Sequence, residues 1–382
     1  MSDSEPPTPD AVRRALAAAA VGTSELGIGA SLDQINGFGA VTRTGDGLTI
    51  EVTLPIPDED IRAAITTAIR EALAGSTTDD VRVEWTPTAA DPGHRVAHLP
   101  DVKNVIAVAS GKGGVGKSTV AANLAVALAD AGAAVGLLDA DVYGPNAPTL
   151  LGIDRATPRT TSGDRIVPRQ AHGVSVMSMD FVTAEDDPII WRGPLVDDLL
   201  EQLTADVEWG VLDYLLVDLP PGTGDAQLSL VQHLPVAGAV VVTTPQDVAV
   251  DDARRGLRQF ARYDVPVLGV VENMSGFRCP DCGTHHEIFG DGGADGLAAE
   301  FEVPVLGRIP LDPDIGDLRA DTEPTGLSIP LIGDLQLPRS AAGRSGRRPP
   351  TAIRAGGGDA RTAFRRLAAR TAARINQAAE IP

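Results

Sequence analysis

The chain has 382 residues, 43% of them hydrophobic, which allows a sizeable core and, at about 150 residues per domain, two domains with a tail. Only 3 Trp, 3 Tyr and 7 Phe are present, so that core must rest on Val, Leu, Ile and Ala. A formal charge of −20 argues against general affinity for nucleic acid or anionic membrane, two cysteines exclude a disulfide scaffold, and no apolar run approaches the roughly 18 residues of a membrane-spanning helix.

Residues 1–10 are polar and Pro-rich and read as unstructured. The run Ala15–Val21 after Arg13 and Arg14 faintly resembles the apolar part of a signal peptide. It is short and follows Asp3, Glu5 and Asp10, so a cytoplasmic protein is the expectation. Asp10 is placed to cap a helix over Ala11–Ala20. Leu48–Leu54 alternates as a strand, Asp58 opens a helix over Asp60–Leu73 with Ile61, Ile65, Ile69 and Leu73 on one face, and Val81–Trp85 alternates again. These elements make residues 1–86 a small α+β domain, followed by an aperiodic linker over 87–101.

From Asn104 the texture changes to short, wholly apolar runs starting at Val105, Val135, Tyr214, Ala239, Val267 and Val305. Helix-like segments lie among them, including Thr119–Ala131, Ala226–His233 and Val250–Tyr263. Runs apolar on both faces that alternate with helices predict an α/β fold over 102–335, a mostly parallel sheet covered by helices. Ligands of such folds sit beyond the carboxyl ends of the strands. Residues 336–358 form an Arg/Pro/Gly-rich insertion that reads as unstructured, and 359–382 a terminal helix. Asp359 is its expected cap, and Phe364, Leu367, Thr371 and Ile375 share one face. From Arg339 onward ten Arg face only Asp359 and Glu380; a basic stretch of this kind binds RNA or is a solvated linker, and the second is the expectation.

The first apolar run leads into SGKGGVGKST, Ser110–Thr119, which opens a helix. A strand, a glycine loop and a helix in that order are what a P-loop NTPase requires. Gly111, Gly113, Gly114, Val115 and Gly116 would turn backbone N–H groups toward phosphate oxygens, and Lys117 would reach the β/γ-phosphates of ATP. The Ser118 hydroxyl would ligate Mg²⁺, and Thr119 follows on the helix. Only Lys103, Lys112 and Lys117 are lysines, and the other 29 basic residues are arginines. Such a lysine-poor, acidic surface suits a halophilic source. That two of three lysines lie in this loop points to chemistry that needs an ammonium there.

LLDADVYGPN puts Asp139 and Asp141, and LLVDLPPGTGD puts Asp218, at strand ends beside the loop, where carboxylates position Mg²⁺ or orient attacking water. CPDCGTHH carries Cys279 and Cys282 on an exposed turn. Two thiolates complete neither a tetrahedral zinc site nor a four-cysteine cluster. The missing ligands come from His285 or His286, or from a second chain; a redox dithiol is the third option.

KGGVGKST resembles the deviant Walker A loop of the MinD/ParA-like and nitrogenase-iron-protein-like ATPases. That resemblance implies that Lys112 crosses a dimer interface to the partner's nucleotide, that Asp141 activates water and that Asp218 is the Walker B carboxylate. It also implies that Gly222–Asp225 is the switch loop, and that Asn273, Pro310 and Asp312 bind adenine. Together with WRGP (Trp191–Pro194), DYLLVDLPPGTGDAQLSL, TTPQDVAVDDARRG, VENMSGFRCPDCG and IPLDP, these motifs closely resemble the Mrp/ApbC family of ATP-binding iron–sulfur cluster carriers over about Asn104–Leu318. Residues 1–86 resemble, more weakly, an iron–sulfur assembly domain fused in front of such ATPases, but the strand ends LPIPDED and lacks that domain's cysteine.

The resemblance implies an ATP-hydrolysing homodimer that holds an iron–sulfur cluster, a 4Fe–4S cluster bridging Cys279 and Cys282 of both chains, and passes it to apo iron–sulfur proteins. It implies neither membrane nor nucleic-acid partners. Two rivals remain: a positioning or partitioning ATPase of the MinD/ParA type using the amphipathic terminal helix, and a zinc-stabilised nucleotide switch.

Overall fold

The computed structural model describes residues 8–22, 31–34, 37–44, 47–54, 59–74, 81–87, 99–141, 144–154, 157–163, 165–182, 202–224, 227, 230–232, 234–312, 315, 327–329, 333–335, 350–353 and 358–379. Outside them lie the WRGP segment, the proposed cap Asp58, Tyr143, Asp225, linker residues 88–98, and all of the Arg/Pro/Gly-rich stretch except 350–353 and Gly358.

The first helix, α1 (Pro9–Ala18), starts earlier than its apolar pattern predicts. Its cap is Thr8, whose hydroxyl accepts from Ala11 N at 3.3 Å, rather than Asp10. Pro9 decides this: its fixed φ suits the first helical position and its missing N–H costs nothing there. Residues 9 and 10 are therefore helical rather than unstructured. β1 (Phe38–Thr44) pairs antiparallel with β2 (Gly47–Leu54), and α2 (Glu59–Ala72) crosses over to β3 (Val81–Pro87), which lies parallel to β2. The inward residues of β2 (Leu48, Ile50, Val52 and Leu54) meet Ile61, Ile65 and Ile69 of α2 in a core separate from the main one.

The main sheet is built from β4 (Val102–Ser110), β5 (Val135–Asp139), β6 (Arg169–Ala171), β7 (Val174–Ser178), β8 (Leu212–Asp218), β9 (Val236–Thr243), β10 (Val267–Asn273) and β13 (Val305–Ile309). Its order is β13-β10-β9-β4-β8-β5-β7-β6, parallel throughout except for β6 at one edge. The predicted apolar runs all fall in these strands. α3 (Lys117–Asp130) follows β4, a short α4 (Ala147–Leu150) follows β5, and α5 (Asp247–Arg262) follows β9. A two-stranded hairpin, β11 (Phe277–Arg278) with β12 (His285–His286), leaves the end of β10. It is followed by α6 (Gly293–Phe301) and β13. β14 (Leu327–Ile329) and β15 (Gly333–Leu335) pair antiparallel.

α7 (Gly358–Ala379) begins one residue before Asp359, which lies in the first turn and pairs with Arg278 at 3.2 Å instead of capping. Phe364, Leu367, Thr371 and Ile375 are buried. The reason lies in α3, which is apolar nearly all round and so needs cover on two sides. The sheet supplies one cover and α7 the other. The apolar face of the terminal helix is therefore spent inside the fold, which removes the support it lent to a membrane-targeting role. Among the described residues, no helix is long and apolar enough to cross a membrane.

Candidate functional site

β4 runs out of the sheet at Ser110 and the chain re-enters α3 at Lys117. Gly114 and Gly116 hold φ of +84° and +81°, a region open to glycine at no steric cost. Gly116 is also the N-cap of α3, and no side chain caps it, so the first-turn N–H groups and the positive helix end face the loop. A pocket of about 310 Å³ opens there, with Lys112, Lys117, Ser118, Thr119 and Asp141 on its walls. Gly113, Gly114 and Gly116 line it as well. Gly111 instead backs onto α5, where a Cβ would sit 2.2 Å from the Asp252 carbonyl carbon. Val115 is buried beneath the loop.

The floor of the pocket is charged and buried. Lys117, 5% exposed, pairs with fully buried Asp218 at 2.5 Å. Burial pushes the Asp218 carboxyl above the usual carboxylate range even with the Lys117 ammonium against it. Its Oδ2 is buried without a hydrogen-bond partner among the described residues. Beside it in the sheet register stands Asp139, pushed up to about 7 by burial and then by the Asp218 charge. Asp139 accepts from Ala147 N at 2.9 Å and Ser178 Oγ at 3.2 Å, so it braces the chain that carries Asp141 into the pocket. An orphaned carboxylate oxygen beside the Ser118 hydroxyl is a donor set that fits Mg²⁺, a hard cation served by oxygen ligands and water.

One residue of this region escapes the sequence reading. Gln227, 3% exposed, donates to Pro220 O at 2.5 Å and Ser110 O at 3.4 Å, tying the loop after β8 to the end of β4. Gly222 N also donates to Ser110 O, at 3.1 Å. The available signal is a polar residue inside the apolar pattern AQLSL. Asn273 is 7% exposed and donates from Nδ2 to Val115 O at 2.8 Å, gripping the loop from behind. Pro310 and Asp312 follow β13, three places along the sheet from β4 and outside this pocket.

Cys279 and Cys282 sit on the turn of the β11–β12 hairpin, Cys279 half-buried and Cys282 exposed. Thr284 O accepts from Cys279 N at 2.9 Å, and Cys279 O from Gly283 N at 2.8 Å. The Thr284 hydroxyl, 3.2 Å from Cys282 Sγ, can donate to a thiolate and holds the Cys282 thiol below its ordinary pKa. The neighbouring imidazoles are engaged elsewhere. The His285 ring lies against Gly276, leaving no room there for a Cβ, and His286 stacks on Phe277 with centroids 6.4 Å apart. Among the described residues, no group of three or more His, Cys, Asp or Glu is gathered for a metal.

A family model described as ParA, NUBPL iron-transfer P-loop NTPase, matches residues 101–331, more than half of the chain. The chain belongs to this NUBPL iron-transfer P-loop NTPase family. An iron–sulfur cluster carrier protein of Pseudomonas fragi is 51% identical to it over 237 residues, 62% of this chain and 83% of the relative. One of Synechocystis is 47% identical over 293 residues, 74% of this chain and 82% of the relative. A nucleotide-binding protein of Archaeoglobus fulgidus, solved in complex with ADP, is 39% identical, with a TM-score of 0.51. It covers 59% of this chain and 87% of that one. The NUBPL-type match thus spans the phosphate loop and the cysteine hairpin together.

Proposed function

We propose that this chain is an ATP-hydrolysing iron–sulfur cluster carrier, in which the P-loop pocket takes the nucleotide and the cysteine hairpin holds the cargo for apo iron–sulfur proteins. The observation that carries this reading is a shared carboxyl end of the parallel strands. Strand β4 ends in the phosphate loop, strand β10 ends in the stem of the Cys279–Cys282 hairpin, and Asn273 at the end of β10 touches the loop. Relatives bearing the name of cluster carriers support the cargo, and the ADP-bound relative supports the nucleotide.

Within the pocket, Lys117 is the phosphate ligand, and on binding it exchanges the Asp218 carboxylate for phosphate oxygens. Asp218, released from that pair, and Ser118 would hold Mg²⁺, which would supply neutralisation of phosphate charge. Asp141 orients the attacking water, and Lys112 reaches the nucleotide of a second copy. Asn273, Pro310 and Asp312 would meet the adenine once the loop has closed on the nucleotide.

A four-cysteine cluster needs four thiolates, and one chain carries two. A two-fold dimer brings the same patch of both copies together, so Cys279 and Cys282 of each complete a 4Fe–4S site. The His rings on the hairpin, turned to Gly276 and Phe277, favour this over zinc within one chain. Anaerobic reconstitution with iron and sulfide tests the reading. One cluster per dimer is expected, with a broad visible band lost in Cys279→Ala or Cys282→Ala while ATP turnover persists. One zinc per monomer without acid-labile sulfide would overturn the carrier function and leave the ATPase standing.

A further inference from the structure

Glu272 and Asn273 end strand β10, and alternation along a strand sends neighbouring side chains to opposite faces. Asn273 goes to the phosphate loop. Its Nδ2 donates to Val115 O at 2.8 Å and sits so near Gly116 that a Cβ there would be 2.2 Å away. Glu272 goes the other way and is fully buried. Its Oε1 accepts from Ser275 Oγ at 2.8 Å and faces Arg308 Nε at 3.4 Å, while its Oε2 accepts from Ala294 N at 2.8 Å.

Those partners define a closure. Ser275 lies just before the hairpin that carries Cys279 and Cys282, and Ala294 lies in the first turn of α6 just after it. One carboxylate therefore pins both ends of the 275–294 loop. Burying an ionised carboxylate costs several kcal/mol unless it is paired and hydrogen-bonded, and three partners here offset that cost. Ordinary packing would be served by an apolar side chain, as at Val270 and Val271 just before it. Between strand β10 and the first grip at Ser275 the chain turns through Met274, whose φ of +57° is uncommon for a residue with a side chain. Ser275 N donates to Ile309 O at 2.9 Å and Leu311 N to Gly276 O at 2.8 Å, so the stem is fixed to β13 as well.

We propose that Glu272 is a positioning residue coupling nucleotide occupancy of the phosphate loop to the geometry of the cysteine hairpin, with Asn273 sensing the loop and Glu272 holding the hairpin's base. The proposal rests on the nucleotide-binding reading above, but not on the presence of a cluster. Phosphate entering the pocket displaces the Val115 carbonyl; Asn273 follows it, and the adjoining Glu272 shifts Ser275 and Ala294 together. Loss of the carboxylate leaves the nucleotide site whole and cuts this connection.

The test measures iodoacetamide alkylation of Cys279 and Cys282 in the reduced, metal-free full chain, alone and with ADP or a non-hydrolysable ATP analogue. The parent is expected to show at least about a fivefold change in rate on binding, the lower end of ordinary coupling between sites. Glu272→Gln is expected to bind the same nucleotides within about twofold of the parent while losing most of that change. The ratio of bound to free rates is the decisive readout, because a merely structural loosening raises both rates and leaves their ratio. Ser275→Ala, which keeps the buried carboxylate, should weaken the change partly, and it decides the matter if Glu272→Gln does not fold. Nucleotide binding without any change in thiol rate overturns the coupling alone, as does a full parental change in the folded variants. A chain that binds no nucleotide overturns the ATPase reading and the coupling with it. Failure to reconstitute a cluster overturns the carrier reading and leaves this measurement intact.

Discussion

Around Lys117 the chain is closed on every side but the pocket's: the ammonium meets a carboxylate with no exposed surface, Asp139 stands beside that carboxylate, and α7 seals the helix behind them. Around Cys282, beyond the same carboxyl end of the sheet, the thiol is exposed and its side-chain neighbour is a threonine in the turn that closes a two-stranded ladder. Both regions carry reactive groups, yet only the first has the burial that makes charge interactions strong. The contrast teaches what each region holds by itself. The phosphate loop has Lys117 and Ser118 set against Asp218 within one chain. The hairpin presents two free thiols on its turn, one half-buried and one exposed.

The strongest way to break that contrast is to remove the ammonium. Lys117→Ala takes away a charge-assisted phosphate contact worth about 1.5–3 kcal/mol, so ATP affinity or turnover should fall roughly ten-fold or more. It also strands Asp218 as a buried charge, and breaking a buried pair from one side typically costs about 3–5 kcal/mol of stability. Adding Asp218→Asn to the same chain should restore much of the stability and none of the turnover. Urea unfolding and ATP hydrolysis on the single and double variants separate the two effects. Parental ATP binding in Lys117→Ala would sink the P-loop assignment.

The same contrast governs how much of the molecule is legible in its residues. Strands of a parallel sheet are buried on both faces, so the runs from Val105, Tyr214 and Ala239 announce themselves. β1 does not, because Phe38–Thr44 mixes Gly39 with Thr and Arg and packs on one face only. α6 is hidden as well: Gly293 and Gly296 weaken its propensity, and the fold supplies what they lack by seating Ala294 N on Glu272. The terminal helix is legible as a helix but not in its use. Its arginines suggest a solvated surface, whereas Arg370 and Arg374 donate to the carbonyls of Leu306 and Leu268 and dock the helix on the sheet. The candidate site divides likewise. Glycines and lysines at fixed spacing identify the loop, while Gln227 and Glu272 join near partners to distant ones, Ser110 for the first and Ala294 and Arg308 for the second, which no local pattern encodes.

A gentler perturbation of the buried region is pH. Burial and the Asp218 charge push the Asp139 carboxyl from its ordinary 3.8 up to about 7 in the fold, so between those values the folded chain binds a proton that the unfolded chain has released. The stability contributed by this protonated carboxyl is full below 3.8 and is lost as pH rises to about 7. Asp218 is raised as well and acts in the same direction. The nucleotide-free protein should therefore lose up to a few kcal/mol between pH 4 and pH 7 through this pair. Asp139→Asn should flatten the slope, and comparing it with the parent cancels the repulsion among surface carboxylates. Equal slopes in urea unfolding at pH 5 and pH 7 would count against a protonated floor to the pocket.

The smallest effect is expected on the exposed side, where water screens and replaces most contacts. Thiolate rather than thiol is the species that alkylates and that binds metal, so whatever stabilises the anion of Cys282 also primes it as a ligand. Here the Thr284 hydroxyl is the first cause of the lowered thiol pKa, followed by the Thr284 backbone and the Cys279 side chain. Thr284→Val keeps the shape and the backbone bonds while removing the hydroxyl. In a Cys279→Ala background, which isolates the single thiol, alkylation of Cys282 should slow at neutral pH and its pH profile should move upward. The melting temperature should not change, because no buried group is disturbed. If the profile stays in place, the thiol is tuned by the hairpin backbone alone, and the exposed region owes even less to its side chains than the comparison with the phosphate loop implies.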